Sequence, residues 1–235
     1  PNFVHLFVAA EKRGWDVVTP HHELSSGFMA EAYARMNGTP ALCIATLGPG
    51  VALASGSMMN SLVENSPVIY LGGQRARITE RRVRRGRIQF IQQEDLFKNS
   101  VKWSASIEYA EQTDEIIRHA LRVCQTGTPG PVYIEYPSHV INQDIEVKPA
   151  LPPAAYRLVQ PGADGQMVAK AAELIKNAQC PIILTGHAVQ CSCAGQKVRE
   201  LFERARESAP SLLFIDELDI IAATRGGQSD AILTE

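Results

Sequence analysis

The spacing of apolar residues along the chain changes repeatedly between the helical interval of about 3.6 residues and the two-residue interval of strands. Near the amino end, five apolar residues fall on one side of a helix that Gly14 ends: Phe3, Val4, Leu6, Phe7 and Ala10. A chain that opens directly into a helical pattern leads us to expect a truncated amino terminus that lacks a first strand. Residues 15–19 then predict a short strand, which Pro20 stops.

A strand–turn–helix–strand unit comes next and has the most regular pattern in the chain. It is preceded by a helix, predicted over residues 25–36, that is rich in serine, glycine and alanine. A strand over 41–46 leads into the turn Gly48-Pro49-Gly50, a second helix follows, and a strand over 68–73 closes the unit. Small side chains allow close approach of a neighbouring helix, so core packing and a subunit interface are equally compatible with the first helix.

One carboxylate, Glu23, stands where an extended segment gives way to that first helix. Glycine turns let the backbone approach a ligand closely, and ligands of open α/β sheets gather at the carboxyl ends of strands. Taken alone, a glutamate at the start of a helix is most often a favourable contact with the helix dipole. The pattern therefore marks Glu23 and the glycine turn as a candidate site without naming its chemistry.

Helices and strands keep alternating through the rest of the chain. An amphipathic helix is predicted over residues 113–125 and a strand over 131–136, whereas 144–161 is extended and rich in proline. The later pattern predicts, in order, a helix, a strand, a helix and a strand over residues 165–178, 181–185, 195–208 and 211–215. This alternation predicts an α/β fold in which helices cover both faces of a largely parallel sheet, giving three layers.

The same pattern predicts two units of unequal completeness. We expect a three-layer domain over residues 1–145 and a linker over 146–164. The remaining residues, 165–235, predict a second α/β unit that is too short to be a complete doubly wound domain.

Composition and charge narrow the function mainly by exclusion. The chain has 235 residues, of which 45% are hydrophobic and 20% charged, as is ordinary for a globular protein. Its net charge of −2 provides no general attraction to nucleic acid or anionic membranes, and no apolar run reaches the roughly 20 residues that span a bilayer. We therefore expect neither a nucleic-acid nor a membrane partner.

The cysteines indicate a compartment rather than a site. Five is an odd number, and free thiols in a reducing environment are the simplest account, so we expect a cytoplasmic protein without a signal peptide. Cys191 and Cys193 raise the alternative of a metal site, but no second pair of ligands stands near them, and free thiols are favoured.

Residues 75–87 contain seven arginines, in the order RARITERRVRRGR. Such a cluster is able to bind a phosphate, a coenzyme tail or RNA. The alternative is a solvated connection, which the glycine and the lack of apolar periodicity favour. No aromatic residue interleaves with the arginines, as binding of single-stranded nucleic acid would require, so we favour the connection.

Several motifs occur in one order along residues 1–145: His22-Glu23 before FMAEAYAR, Thr46 before Gly48-Pro49-Gly50, Ser66-Pro67-Val68-Ile69 before Gly73-Gln74, Gln93-Glu94, and TGTPGPVYIEYPSHV. In this order they resemble the pyrimidine-binding amino-terminal domain of thiamine diphosphate enzymes of the acetolactate synthase and 2-oxoacid decarboxylase type. Each motif alone is weak, but their joint order covers more than half of the chain.

The resemblance implies a role for each matching residue. Glu23 would be the catalytic glutamate, which hydrogen-bonds an aminopyrimidine nitrogen of thiamine diphosphate and favours the tautomer that removes the thiazolium C2 proton. Thr46 and the Gly48-Pro49-Gly50 turn would contact the cofactor, and Gln93 would face the active site. The substrates implied are 2-oxoacids, for which the cofactor acts as the electron sink during loss of carbon dioxide.

The sequence departs from this family in two places. Leu53 stands where the family usually has an asparagine, which removes a polar contact near the cofactor. The family binds the diphosphate through Mg²⁺ on a separate carboxyl-terminal domain with a GDG…N motif, and that motif does not occur in residues 1–235. The resemblance therefore implies a fragment that is inactive alone, with a homodimer or a partner subunit completing the site.

The second unit carries two resemblances. Residues 166–194, including AAELIKNAQCPIILTGHAV, resemble the start of the same family's central domain. Residues 197–235 resemble the Walker B region of an AAA+ ATPase, with Asp216 as the Mg²⁺-coordinating carboxylate and Glu217 as the water-activating one. The phosphate-cradling motif G-x-x-x-x-G-K-[ST] is missing, so we expect no ATPase activity.

Two explanations of this second unit remain. The chain is either a chimera of two families, which the length of the match favours, or a central-domain helix and strand that merely look alike. An AAA+-derived or chimeric non-catalytic interaction module is accordingly the alternative to the enzyme fragment.

Overall fold

The structure, a computed structural model, divides the chain into two compact units, Pro1–Gln160 and Pro161–Glu235. In the first unit it describes residues 3–76, 89–141, 143–146 and 149. In the second it describes residues 163–177, 184–186, 189, 194–197, 199–200, 203 and 214–215. Most of the arginine-rich segment and of the predicted linker lies outside these residues, and the predicted domain boundaries stay predictions.

The first unit is built on a parallel sheet of four strands. These are β1 (Ala41–Ala45), β2 (Val68–Gln74), β3 (Trp103–Ser106) and β4 (Val132–Pro137), in the spatial order β1-β2-β4-β3. Every neighbouring pair is parallel. Ala45 lies opposite Gly72, and Gly72 lies opposite Glu135, so the carboxyl ends of these three strands meet at one edge. The predicted α/β class with a parallel sheet is confirmed.

Helices cover both faces of this sheet and complete the three layers. They are α1 (Val4–Lys12), α2 (Glu23–Asn37), α3 (Pro49–Leu53), α4 (Ser55–Val63), α5 (Gln93–Phe97) and α6 (Thr113–Gln125), with a 3₁₀ turn at Ala110–Gln112. The helix predicted over residues 113–125 is confirmed. The single helix expected after the glycine turn is two helices, α3 and α4, that meet at Ala54.

The alternation of side chains along β2 produces two separate apolar cores. Val68 and Tyr70 belong to one core and Ile69 and Leu71 to the other, because successive side chains of a strand point to opposite faces. The first core includes residues of α2, α3, α4 and α5, and the second includes residues of α6. Since β2 is buried on both faces, its sequence reads as a continuous apolar run rather than an alternating one.

The small residues of α2 are explained largely by packing within this chain. A side chain at Gly27 would overlap Ser57 of α4, and Ala30 and Ala34 are buried in the first core. Ser25 and Ala32 of the same helix are exposed. Core packing therefore accounts for Gly27, Ala30 and Ala34, the face of α2 that is turned to the sheet.

The expectation of a strand at residues 15–19 is wrong. The segment is extended, but it pairs with no other strand among the described residues, and Trp15, Val17 and Val18 are exposed. An alternating apolar segment forms a strand only where a neighbouring strand supplies hydrogen bonds. The first helix also differs from expectation, because Phe3 and Ala10 are buried whereas Val4 and Phe7 are exposed.

The described part of the second unit is a helix and two short strands. Helix α7 (Gly165–Asn177) starts at Asp164, whose Oδ1 accepts hydrogen bonds from the backbone N–H groups of Gln166 and Met167, at 3.0 Å each. Strand β5 (Leu184–Thr185) pairs in parallel with β6 (Phe214–Ile215). No helix among the described residues of either unit has the length and apolar character needed to cross a membrane.

Candidate functional site

The glycine turn begins where β1 ends, at the edge formed by the carboxyl ends of the strands. Gly48 has φ = +66°, a left-handed conformation that side chains with a Cβ rarely adopt, and a Cβ there would overlap the carbonyl oxygen of Gln89. The Val51 N–H donates to the Thr46 carbonyl at 3.0 Å and closes the turn. Both backbone conformation and crowding therefore require glycine at position 48.

Glu23 is brought to this turn although it lies more than 20 residues earlier in the chain. It is half-buried in the first turn of α2, where a carboxylate interacts favourably with the helix dipole. A Cβ built on Gly50 would stand 3.4 Å from Glu23 Oε1 and 2.7 Å from Thr46 Cγ2. The backbone of Gly50 thus lies beside the carboxylate, and a larger residue would fill the space between them.

The start of α2 positions this carboxylate. His22 caps the helix, because its Nδ1 accepts a hydrogen bond from the Leu24 N–H at 3.1 Å. Glu23 follows immediately, and at the other end of α2 Gly38 adopts the left-handed conformation that terminates helices. The backbone of Glu23 is therefore held in the first turn of a regular helix, and its carboxylate lies beside Gly50 of the glycine turn.

Gln93 lies behind the turn and is fully buried. Its Oε1 accepts a hydrogen bond from the Gly48 N–H, and its Nε2 donates to the Gly73 carbonyl at 2.9 Å. The same Nε2 lies 3.1 Å from the Tyr133 hydroxyl and 3.2 Å from Glu135 Oε1. The structure thus places Gln93 between the glycine turn and the sheet, in contact with protein groups on both sides.

Glu135 is a site residue that the sequence did not reveal. This carboxylate of β4 is 2% exposed, and its Oε1 accepts hydrogen bonds from Gln74 Nε2 at 3.0 Å and from Gln93 Nε2 at 3.2 Å. The available signal was an acidic residue within the otherwise apolar run VYIEY. Its partners lie on a neighbouring strand and a distant helix, so no spacing along the chain connects them.

The structure thus assembles most of the predicted site residues at one place. Glu23, Thr46 and Gly50 lie together, and Gly48 is held by Gln93 from behind. Pro49 is exposed at the first position of α3. Leu53, at the last position of α3, is 48% exposed.

The remaining predicted residues are not among those that the structure describes. Asp216 and Glu217, together with Cys180, Cys191 and Cys193, are outside the part of the chain that the structure describes. Within the described part, no three His, Cys, Asp or Glu side chains are grouped as metal ligands would be. Cys43 and Cys124 are free, and burial raises the pKa of both thiols, that of Cys124 to about 12.

Two families match this chain, one in each unit. Residues 2–99 match the family described as thiamine pyrophosphate enzyme, N-terminal TPP binding domain. Residues 166–234 match the ATPase family associated with various cellular activities (AAA). The first match includes Glu23, the glycine turn and Gln93.

The chain is also similar to curated proteins that are named as enzymes. The chain is 36% identical to 2-hydroxyacyl-CoA lyase 2 of Danio rerio over 149 residues, which is 61% of this chain and 24% of that protein. It is 32% identical to the probable acetolactate synthase large subunit of Methanococcus aeolicus over 186 residues, 77% of this chain and 31% of that protein. The chain therefore spans between a quarter and a third of the length of these relatives.

One further relative bears on the second unit. The acetolactate synthase of Bacillus subtilis (strain 168) is 27% identical over 201 residues, which is 86% of this chain and 34% of that protein. An alignment of that extent necessarily includes part of residues 166–234, which the AAA family also matches. The second unit is thus similar to both kinds of protein.

Proposed function

Residues 2–99 belong to the thiamine diphosphate-dependent enzyme family, and we propose that this chain supplies the aminopyrimidine half of a thiamine diphosphate site. The observation that carries the proposal is the position of the Glu23 carboxylate beside Gly50, where an added Cβ would stand 3.4 Å from Glu23 Oε1 and 2.7 Å from Thr46 Cγ2. The backbone of Gly50 is thus without a side chain next to this carboxylate, as is required where a flat ring approaches backbone. The residues present fit the group.

Each residue of the site has a separate task in this proposal. Glu23 holds a proton between its carboxylate and a ring nitrogen of the aminopyrimidine, and so orients the ring. Gly50 lets the ring approach the backbone and Thr46 borders the same position, whereas Gly48 gives the turn its conformation against Gln89. When bound, thiamine diphosphate supplies the electron sink for cleavage or formation of a bond next to a carbonyl carbon.

The diphosphate group requires binding residues from outside residues 1–235. Residues 1–235 contain no GDG…N motif, so a domain that binds the diphosphate and Mg²⁺ would come from further sequence or from another subunit. The chain alone would then be inactive. The proposed reaction is that of a lyase or transferase on 2-oxoacids, consistent with the acetolactate synthases among the relatives, in a cytoplasmic homodimer or mixed assembly.

Titration calorimetry with thiamine diphosphate and Mg²⁺ tests this proposal. We expect weak binding to the chain alone and tighter binding after mixing with a complete acetolactate synthase subunit. Glu23→Gln should weaken the binding at least tenfold, whereas Glu111→Gln, at an exposed position remote from the turn in sequence, should leave it unchanged. Absence of binding in both settings would refute the cofactor site.

A second candidate rests on the match of residues 166–234 to the AAA family. In this candidate the second unit is a non-catalytic interaction module, because the phosphate-cradling motif is missing from the sequence. Asp216 and Glu217 would be the remaining nucleotide-facing residues. A fluorescent ATP analogue should show no hydrolysis, and any binding should be lost in Asp216→Asn; measurable turnover of ATP would exclude this candidate.

A further inference from the structure

We propose that Glu135 is a positioning residue that sets the shape of the glycine turn through the amide of Gln93, and we call these two side chains the polar clamp. This inference rests on the proposed function, because it assigns Glu135 a role in the same site. Glu135 is linked to the turn through the Gln93 side chain, whose Nε2 donates to Glu135 Oε1 and whose Oε1 accepts from the Gly48 N–H.

The orientation of the Gln93 amide carries the argument. An amide has one accepting end and one donating end, and the Gly48 N–H needs the accepting end. On the opposite side, Gln93 Nε2 faces the Gly73 carbonyl at 2.9 Å and Glu135 Oε1 at 3.2 Å. The Gly73 carbonyl and a carboxylate both accept, so a flipped amide would bring oxygen against oxygen at these two contacts and nitrogen against the Gly48 N–H. The Tyr133 hydroxyl, 3.1 Å from Nε2, is able to pair with either end of the amide and does not select between them. The partners therefore permit one orientation.

Burial restricts the movement of the Glu135 and Gln93 side chains. Glu135 is 2% exposed, and a buried carboxylate is costly unless donors surround it. Gln74 Nε2 provides a second donor at 3.0 Å and also donates to the Ile91 carbonyl at 3.0 Å. Through its two amide partners, the carboxylate thus fastens both the glycine turn and the segment around residue 91.

That segment completes the enclosure of the turn. The carbonyl of Gln89 lies against Gly48 so closely that no Cβ fits there. Gly48 is consequently held by Gln93 through its N–H and packed against Gln89 at its Cα. The Ala52 N–H then donates to the Gly48 carbonyl at 3.0 Å, which fixes the start of α3 and with it Gly50 beside Glu23.

A swap of the charge between the two members of the clamp tests this mechanism. Gln93→Glu places two carboxylates against each other, and like charges at this distance repel strongly. In the double variant Gln93→Glu with Glu135→Gln, the new amide at 135 again donates to an acceptor at 93, and that acceptor still receives the Gly48 N–H. Glu135→Gln alone keeps an accepting oxygen for both amides and is the mild control.

Two measurements on the full chain distinguish a positioning role from general stability. The first is the hydrogen exchange rate of the Gly48 amide relative to that of Tyr70 in the core of β2, and the second is the affinity for thiamine. In Gln93→Glu we expect the Gly48 amide to exchange about tenfold faster while Tyr70 is unchanged, and thiamine to bind about tenfold more weakly. The double variant should recover part of both losses, because it restores the 93–135 hydrogen bond but leaves the carboxylate at 93 against the Gly73 carbonyl.

The outcomes separate this inference from the function on which it rests. Unchanged exchange of Gly48 in Gln93→Glu, with or without weaker thiamine binding, would overturn the clamp and leave the proposed site standing. Failure of the double variant to recover would also overturn it. If Gln93→Glu does not fold, Glu135→Leu decides, with Glu135→Gln as its control. An unchanged Gly48 exchange ratio in Glu135→Leu would contradict the mechanism. If wild-type protein binds thiamine neither alone nor after mixing with a complete acetolactate synthase subunit, the proposed function fails whatever the Gly48 exchange rate, and the assignment of the clamp to that site fails with it.

Discussion

Two buried glutamates lie near opposite ends of the strands and differ in what holds them. Glu31 of α2 is 4% exposed and accepts hydrogen bonds from Asn60 Nδ2 at 2.8 and 3.0 Å and from Ser66 Oγ at 3.5 Å. Arg35 lies 3.7 Å from it. Glu135, at the carboxyl ends of the strands, has neutral amide donors that lead to the glycine turn.

The difference lies in where the donors of each carboxylate are anchored. Asn60 is on α4 and Ser66 stands just before β2, so the Glu31 cluster joins a helix to its neighbours at the amino end of the strand. Gln93 instead contacts a backbone N–H of a turn in a left-handed conformation. Equal burial of one residue type thus joins packed elements in one place and holds the glycine turn, through Gln93, in the other.

The largest effect is expected from Glu31→Ala. The substitution removes the buried acceptor of Asn60 Nδ2 and one of the two carboxylates near Arg35, which keeps Glu64 at 3.0 Å. We expect the unfolding free energy to fall by about 3 kcal/mol. Urea unfolding measures this loss, with the exposed Glu111→Ala as the control. The Glu31 cluster is separate from the glycine turn, so the hydrogen exchange rate of the Gly48 amide relative to that of Tyr70 should not change. A selective increase in Gly48 exchange would show that the two glutamates do not have separate roles.

Gly48→Ala should lower the free energy of unfolding less than Glu31→Ala does, but it should impair thiamine binding more. We expect a loss of about 2 kcal/mol from the left-handed conformation and the overlap with Gln89, together with loss of thiamine binding. Gly127→Ala is the matched control, since Gly127 has φ = +65° with no atom near its missing Cβ, and should cost about 1 kcal/mol. Equal losses in calorimetric melting of the two variants would show that crowding at Gly48 is unimportant.

Tyr70 provides a pH test near the Glu31 cluster. Its hydroxyl lies 3.0 Å from Ser61 Oγ, and burial raises its pKa to about 12. A folded pKa above the unfolded value of about 10 means that Tyr70 contributes fully to stability below pH 10, and that this contribution is lost as pH rises from 10 towards 12.

Unfolding free energies of wild type and Tyr70→Phe should therefore converge by on the order of 1 kcal/mol between pH 10 and 12. Tyr109 is exposed, and the unfolding free energy of Tyr109→Phe should keep a constant difference from that of wild type over the same pH range. A constant difference between Tyr70→Phe and wild type would show that the hydroxyl ionises normally in the fold.

The smallest effect is expected at Lys102. Its Nζ donates to the carbonyls of Val123, Thr126 and Thr128 at 2.8, 2.8 and 2.6 Å, and so satisfies acceptors at the end of α6. Burial lowers the pKa of this lysine. Lys102→Met should lower the unfolding free energy, measured in urea, by about 1 kcal/mol or less. Lys98→Met is the control for this loss. Thiamine binding should not change in Lys102→Met.

Much of the fold followed from local pattern, and the site followed only in part. The turn required glycine and the helix start required a cap, so Glu23 and Gly48-Pro49-Gly50 were marked by nearby residues alone. Glu23 and Gly50 lie together because α2 packs against the sheet. The α/β pattern of the sequence indicates this packing. The extended segment at residues 15–19 was mistaken because propensity carries no information about whether a partner strand exists.

Sequence patterns of this kind could not predict the polar clamp. Glu135 contacts Gln74 through the pairing of β2 with β4, strands that are not consecutive in the chain. Gln93 reaches it across 42 residues. A lone acidic residue in an apolar strand shows that a compensating donor must exist, but not which one.

The placement of the two tryptophans gives this chain an optical assay for its own assembly. Trp15 is 60% exposed in the extended segment, whereas Trp103 of β3 is half-buried and stacks edge-on against His119 of α6, with ring centroids 4.7 Å apart. Trp15→Phe would leave Trp103 as the single emitter. The wavelength of its fluorescence would then report when α6 docks on the edge strand, separately from any event at the glycine turn.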